Sequence, residues 1–477
     1  MISALPFENL IRPLRESFRD PSGFLYLRGE TLLRQVNSRS RENYDSLMSS
    51  GLYDLLTQAQ LLVPHEEERI EQAATKEAYK ILRPELIPFI SYPYEWSFSQ
   101  LQDAALLTLR IQKESLGLGM SLKDCSAYNV QFRNGRPIFI DTLSFEKYQE
   151  GRPWIAYRQF CQHFLAPLAL MAYTDARLNQ LSRIHIDGVP LDLASSLLPF
   201  KTQARFGLLF HIHLHAKSQR HFAKRKAPPA RRRVSRHAAL SLIDNLKTAI
   251  QGMKWQPLSS EWSDYYAATN YSTEAFLSKK QLVTQILKEI NPRPSIVWDL
   301  GSNTGEFSRL ASEMGIQTIS FDGDPACVEK NYLECRTRGE THLLPLLLDL
   351  TNPSSGLGWE NAERRSILER GPADAVLALA LIHHLAIANN LPLSKIAAFF
   401  GRICHSLVIE FVPKTDSQAA RLLASRDDVF ENYNQMNFEQ EFGRFFKIQL
   451  SAKIAGTQRT IYWMEKSIEP QSDSPLH

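Results

Sequence analysis

From Ser295 to Lys466 short apolar runs alternate with stretches of helical period, and this alternation restricts the fold more than any other feature. IVWDL (296–300) reads as a buried strand, followed by a helical stretch ending at Gly315. QTISFD (317–322) is the next strand; Pro325 then opens a helix that closes at Gly339. LLPLLLD (343–349), ADAVLALA (373–380) and SLVIEFV (406–412) follow as strands, with SKIAAFFGRI as a helix before the last. FKIQLSAKI (446–454) and RTIYWMEK (459–466) read as a hairpin across Gly456-Thr457, expected to place one antiparallel strand at the sheet edge. Strands alternating with helices specify a parallel, doubly wound α/β sheet whose ligand lies at the carboxyl ends of its strands.

That edge is where the chemistry concentrates. In DLGSNTG, Asp299 closes a strand, and Gly301 and Gly305 bracket small polar residues. Gly301 lets the chain turn sharply and leaves bare backbone for a ligand, while Gly305 permits close packing at the start of a helix. The spacing GxxxG differs from the GxGxxG of dinucleotide enzymes. The next strands end in Asp322 and in Asp349-Leu350, and the fourth runs into Leu381-Ile382-His383-His384-Leu385.

This ordered set resembles the class I S-adenosylmethionine-dependent methyltransferases, with DLGSNTG, FDGD, LLLDL and ALIHHL as their successive motifs over 290–466. The resemblance implies a seven-stranded Rossmann-like sheet, transferase activity and S-adenosyl-L-methionine as cofactor. It places Asp299, Gly301, Ser302, Asn303 and Gly305 around the methionine part of the cofactor. Asp322 would hold the ribose, Asp349 and Leu350 the adenine, and Ala380 and Leu381 would lie beside the sulfonium. Methyl transfer needs alignment and, for a protonated nucleophile, a base. His383, His384 and Glu410 are the candidates; the histidine pair alternatively caps its strand. Tyr265, Tyr266, Asn270 and Tyr271 form either a lid over the site or a helix across the sheet edge. The fourth motif lacks the Pro-Pro-aromatic pattern of enzymes that methylate base amino groups.

A second resemblance lies in SLKDCSAYNVQFRNGRPIFIDTLSF (121–145). Asp124, Asn129 and Asp141 are spaced as in the catalytic segment of kinase-like phosphotransferases. Asn134-Gly135 is a hairpin signal that would bring Asn129 and Asp141 together. FLYLRGETLLRQV (24–36) reads as a hairpin and 98–117 as a long helix, so the order hairpin, helix, loop agrees. The resemblance implies an α+β kinase-like domain in which Asp124 accepts a proton and Asn129 and Asp141 hold Mg2+ beside ATP. Several departures mark it as degenerate: Leu122 replaces a histidine, Thr-Leu follows Asp141, no glycine-rich loop is present, and only Arg34 stands for the nucleotide lysine. The alternative is a plain hairpin with solvated acids.

The 477 residues exceed one ordinary domain. KSQRHFAKRKAPPARRRVSRH (217–237) holds nine Lys or Arg residues and no acid. It divides the chain into a kinase-like domain at 1–215, a basic linker at 216–240 and a methyltransferase domain at 241–477. The tract is either a solvated linker or a phosphate-binding strip for RNA. His211, His213 and His215 would share one face on a strand, as a set of metal ligands does. The five cysteines form no CxxC pair, which fits a reducing, cytoplasmic setting. No apolar run reaches the length of a membrane helix, so no membrane insertion is expected. The whole layout is similar to bacterial methyltransferases labelled as nodulation proteins, which implies a small-molecule or glycan acceptor. Rival readings are an RNA methyltransferase, a non-enzymatic nucleotide-binding scaffold and a bifunctional kinase–methyltransferase.

Overall fold

The computed structural model describes residues 11–217, 233–256, 272–424 and 427–467. The basic tract between 218 and 232 and the aromatic segment 257–271, with Tyr265, Tyr266, Asn270 and Tyr271, lie outside the described residues. The chain forms two compact units, one of residues 1–256 with 356–364 and one of 257–355 with 365–477.

The second unit carries the expected strands: β10 (Ile296–Leu300), β11 (Gln317–Asp322), β12 (Leu343–Leu347), β13 (Ala373–Ala378), β14 (Cys404–Phe411), β15 (Phe446–Lys453) and β16 (Thr460–Lys466). They form one seven-stranded sheet in the order β12-β11-β10-β13-β14-β16-β15. β10 to β14 pair in parallel, and β16 runs antiparallel to both β14 and β15. The antiparallel strand is therefore one place in from the edge, a correction to the expected edge position. Burial explains the order. β15 alternates intermediate and exposed residues after Phe446, as a half-solvated edge does, whereas Thr460, Ile461, Tyr462 and Met464 of β16 are buried. The helix Thr273–Glu289 covers the sheet with Ala275, Val283, Ile286 and Leu287, which pack with Val297, Phe307, Ala375, Leu377 and Val408. These helix positions follow the spacing of one buried stripe.

In the first unit β1 (Ile11–Pro13), β2 (Gly23–Arg28), β3 (Thr31–Asn37), β4 (His65–Glu68) and β5 (Ala78–Pro84) form an antiparallel sheet in the order β1-β2-β3-β5-β4. Helices α1 (Arg41–Ser49) and α2 (Leu52–Gln58) connect β3 to β4. The long helix α3 (Phe98–Gly117) starts at Ser97, whose side chain accepts from Gln100 N–H while Gln100 reaches back to Ser97 N–H. Two small pairs follow: β6 (Met120–Leu122) with β9 (Phe145–Lys147), and β7 (Val130–Arg133) with β8 (Arg136–Phe139). Asn134 and Gly135 both have positive φ, at 51° and 71°, as the two-residue hairpin requires.

Two expectations change here. The helix Arg236–Gln251 belongs to the first unit, because Ala239, Ile243, Leu246 and Ile250 form a buried stripe; Gln102 on α3 donates to Ile250 C=O (2.9 Å). The histidine triplet is helical and not on a strand: His211 and His213 lie in the segment Leu209–Leu214 and His215 follows it. His213 turns away from the other two. His211 bonds Tyr157 and Asn245, His213 bonds Ser195 and Thr202, and His215 stacks on Tyr157. Among the described residues no group of three or more His, Cys, Asp or Glu side chains is arranged to hold a metal ion.

Candidate active site

The glycine turn after β10 is built from positive-φ residues: Gly301 (72°), Asn303 (52°) and Gly305 (85°). A Cβ on Gly305 would come within 2.6 Å of Asn331, so close packing does require glycine there. A Cβ on Gly301 would meet Leu381 Cδ1 at 3.1 Å, yet Gly301 itself is exposed at the strand edge. The turn is latched to β11: Gly301 and Ser302 N–H donate to Phe321 C=O (2.9 and 3.0 Å).

The latch orders Asp322. Its Oδ2 accepts from Asn303 N–H and its Oδ1 from Asp324 N–H, both at 2.8 Å. Lost solvation pushes this half-buried carboxyl up to about 6, against the pull of backbone N–H donors from Asp324, Asn303 and Gly323. Asp299 is buried, and Ser308 Oγ donates to its Oδ2 at 2.6 Å. Burial pushes Asp299 up to about 7. Behind it Ser308, Ser320, Ser302 and Asn331 form a hydrogen-bonded chain. Asp349 is exposed, its Oδ1 accepting from Thr351 N–H and Oγ1, and Leu350 beside it is half-buried. Ala380, just beyond β13, has φ of 52°, and Leu381 packs toward Gly301. The structure thus brings every proposed cofactor residue to one edge of one sheet.

The three candidate bases differ. His383 is fully buried, and neither ring nitrogen has a hydrogen-bond partner among the described residues. His384 is half-buried, its ring 4.1 Å from that of His383 between centroids. Glu410, also fully buried, is clamped: Lys279 Nζ lies 2.6 Å from Oε2 and Arg459 Nη1 3.2 Å from Oε1. Arg459 also pairs with Asp416 (2.7 and 2.9 Å). Glu410 therefore sits as a counter-ion between two cations rather than as a free base.

Lys279 and Arg459 escaped the sequence reading. Lys279 had a signal: it lies four residues after Ala275 and four before Val283, on the apolar stripe of its helix. A lysine there has to bring a partner into the core. Arg459 had none, since it follows a hairpin turn where arginines are ordinarily solvated.

In the first unit Asp141, Asn129 and Asp124 gather as expected. Ser144 Oγ donates to Asp141 Oδ2 and accepts from Asn129 Nδ2 (3.3 Å). Asp124 Oδ1 accepts from Ser126 N–H (2.9 Å) and Gln159 Nε2 (2.8 Å), and burial raises its affinity for protons. Arg34 on β3 places its guanidinium 2.5 Å from Asp141 Oδ1, which also accepts from Leu143 N–H (3.0 Å). Both carboxylate oxygens of Asp141 are taken by the protein's own donors. As arranged, these residues do not fit a divalent cation. Residues 356–364 belong to this unit: Arg19 pairs with Glu363 at 2.9 and 2.6 Å, and Arg364 lies over the Tyr128 ring at 4.1 Å.

No family model matches the chain. Among solved structures, it is similar to magnesium protoporphyrin IX methyltransferase of Synechocystis PCC 6803 with bound SAH, at 15% identity and TM-score 0.31, over 43% of this chain and 93% of that one. It is also similar to monomeric WbdD, at 16% identity and TM-score 0.29, over 43% of each chain. A curated relative, the nodulation protein NoeA of Rhizobium meliloti (strain 1021), is 35% identical over 458 residues, which cover 94% of this chain and 95% of the relative. At that identity along nearly the full length of both chains, the protein belongs to the family of nodulation protein NoeA.

Proposed function

We propose that the second unit is a class I S-adenosyl-L-methionine-dependent methyltransferase acting on a small-molecule or glycan acceptor. The observation that carries this reading is the latched glycine turn. Exposed Gly301 backbone and the Asp322 carboxyl meet at the carboxyl edge of a sheet ordered β12-β11-β10-β13-β14-β16-β15. Between β10 and β13 the chain switches from building one side of the sheet to building the other, which is where open α/β sheets hold ligands. The bound cofactor supplies a methyl group on a sulfonium. Asp322 would accept from its ribose hydroxyls, Asp349 from its adenine amino group, and the 299–305 turn would line its methionine portion. Ala380 and Leu381 would exclude water beside the sulfonium.

The first unit is read as a kinase-like domain without a working metal site. The sheet order β1-β2-β3-β5-β4, the long α3 and the β6–β9 and β7–β8 pairs around Asp124–Asp141 support that architecture. The guanidinium on Asp141 speaks against Mg2+-dependent transfer from ATP there. RNA recognition would rest on the tract at 217–237, and no structural observation favours it.

The test is calorimetric titration of S-adenosylhomocysteine into the full chain, with Asp322→Ala as control. Micromolar binding is expected, weakened about 10- to 100-fold in the variant, the worth of one charged hydrogen-bonding group. A folded wild type that does not bind would overturn the reading.

A further inference from the structure

We propose that the methyl acceptor is a neutral hydroxyl group and that His383, not Glu410, takes its proton; this rests on the methyltransferase reading above. Three observations converge. The first is the state of His383. Its imidazole is fully buried and both ring nitrogens lack hydrogen-bond partners among the described residues. Buried polar groups are nearly always satisfied, so an orphaned ring at a ligand-binding edge points to a group delivered by the ligand. A neutral imidazole offers one acceptor and one donor, and a hydroxyl matches the acceptor.

The second observation is that the nearby carboxylates are committed. Glu410 faces Lys279 and Arg459, Asp416 gives both oxygens to Arg459, and Asp299 Oδ2 takes the Ser308 hydroxyl. An alkylamine acceptor arrives as an ammonium ion at neutral pH and needs both a carboxylate to hold it and a base to strip it before attack. The groups placed here serve neither need.

The third observation is the company His383 keeps. Burial, the adjoining His384 and the cations of Arg459 and Lys279 all disfavour its charged form, holding its proton affinity well below the ordinary 6.5. Such a ring cannot deprotonate an ammonium ion. It suffices for a hydroxyl, because the attacking oxygen becomes positive as its bond to carbon forms and its proton is then strongly acidic. The step balances. An oxygen lone pair forms the new O–C bond while the C–S bond breaks with its electron pair left on sulfur as a thioether. The hydroxyl proton passes to a His383 nitrogen and is lost to water when product leaves. A carboxylate or phosphate acceptor has no proton to give and leaves the ring's acceptor nitrogen orphaned.

The experiment uses the full chain and separates the two levels. S-adenosylhomocysteine titration comes first: absence of binding by the wild type defeats the methyltransferase reading itself. With the ligand bound, nitrogen-15 imidazole signals of the wild type, with His383 identified by their loss in His383→Asn, are followed between about pH 6 and pH 8. A neutral ring throughout is expected, and a charged one overturns the proposal. Methyl-tritiated S-adenosylmethionine is then added with a soluble cell extract. Label is expected in base-stable products that are not retained on a cation exchanger, falling at least about 100-fold in His383→Asn and His383→Gln. Acid hydrolysis distinguishes a methyl sugar from an aryl ether. Label released by base as methanol, label retained as a methylamine, or no product from a wild type that binds S-adenosylhomocysteine each overturns it.

Discussion

Asp141 stands just past β8 and Asp322 closes β11, each at the mouth of a predicted site, and their surroundings diverge. Asp141 is closed off by Arg34, Ser144 and Leu143 N–H. Asp322 is held by backbone N–H groups, those of Asn303 and Asp324 at 2.8 Å, with Gly323 beside them. Backbone donors orient a carboxylate without cancelling its charge or covering it with a side chain, so lone pairs remain for a ligand. A guanidinium does both. One sequence feature, an acid at the end of a strand, thus serves a self-satisfied cluster in one unit and a receptive edge in the other. The surrounding donors make the difference.

The largest expected effect tests whether buried pairing is equally demanding in the receptive unit. Lys279→Met leaves Glu410 buried with Arg459 as its remaining cation, and the loss should be about 3–5 kcal/mol in urea unfolding. A loss below about 1 kcal/mol, the range of exposed pairs, would show that the charges are not desolvated as described.

Arg34→Met should break the contrast from the other side. It removes the guanidinium from a mostly buried carboxylate and should cost about 1–3 kcal/mol in EDTA. Magnesium should restore part of that loss in the variant and nothing in the wild type, as read by thermal midpoint. Equal gains with magnesium in both proteins would mean that Arg34 does not close the site.

A paired substitution sharpens the comparison at the level of binding. Asp322→Ala should weaken S-adenosylhomocysteine binding about 10- to 100-fold, while Asp141→Asn leaves it within about twofold. Comparable losses in both would remove the distinction between a receptive and a closed acid.

The smallest effect is on pH. Asp322 stands near 6 and Asp299 near 7, both above the ordinary 3.8, so ionising them costs the folded chain stability. That penalty is absent below about pH 4 and complete above about pH 7. Cofactor hydroxyls need the carboxylate, so binding should move the opposite way and be about tenfold weaker at pH 5 than at pH 7. A flat binding profile would place the Asp322 carboxyl outside the contact.

What the sequence alone determined was local. The alternation of strand and helix, the helix ends at Gly315 and Gly339, the Asn134-Gly135 hairpin and the acids at the ends of β10, β11 and β12 follow from periodicity and backbone freedom within a few residues. The cofactor edge was legible because each of its parts sits at or shortly after the end of a strand. Tertiary structure decided the rest. Glu410 and Arg459 meet across 49 residues, and no pattern on β14 shows that the acid's lone pairs are taken. Whether β15 or β16 pairs with β14 depended on which could bury its residues, since either strand of a hairpin can dock. The three histidines lie along a helix and not a strand, and there His211 and His215 meet Tyr157 while His213 meets Ser195 and Thr202. Periodicity reports which face of an element is dry, but a charge on that face takes its role from groups that only folding brings near.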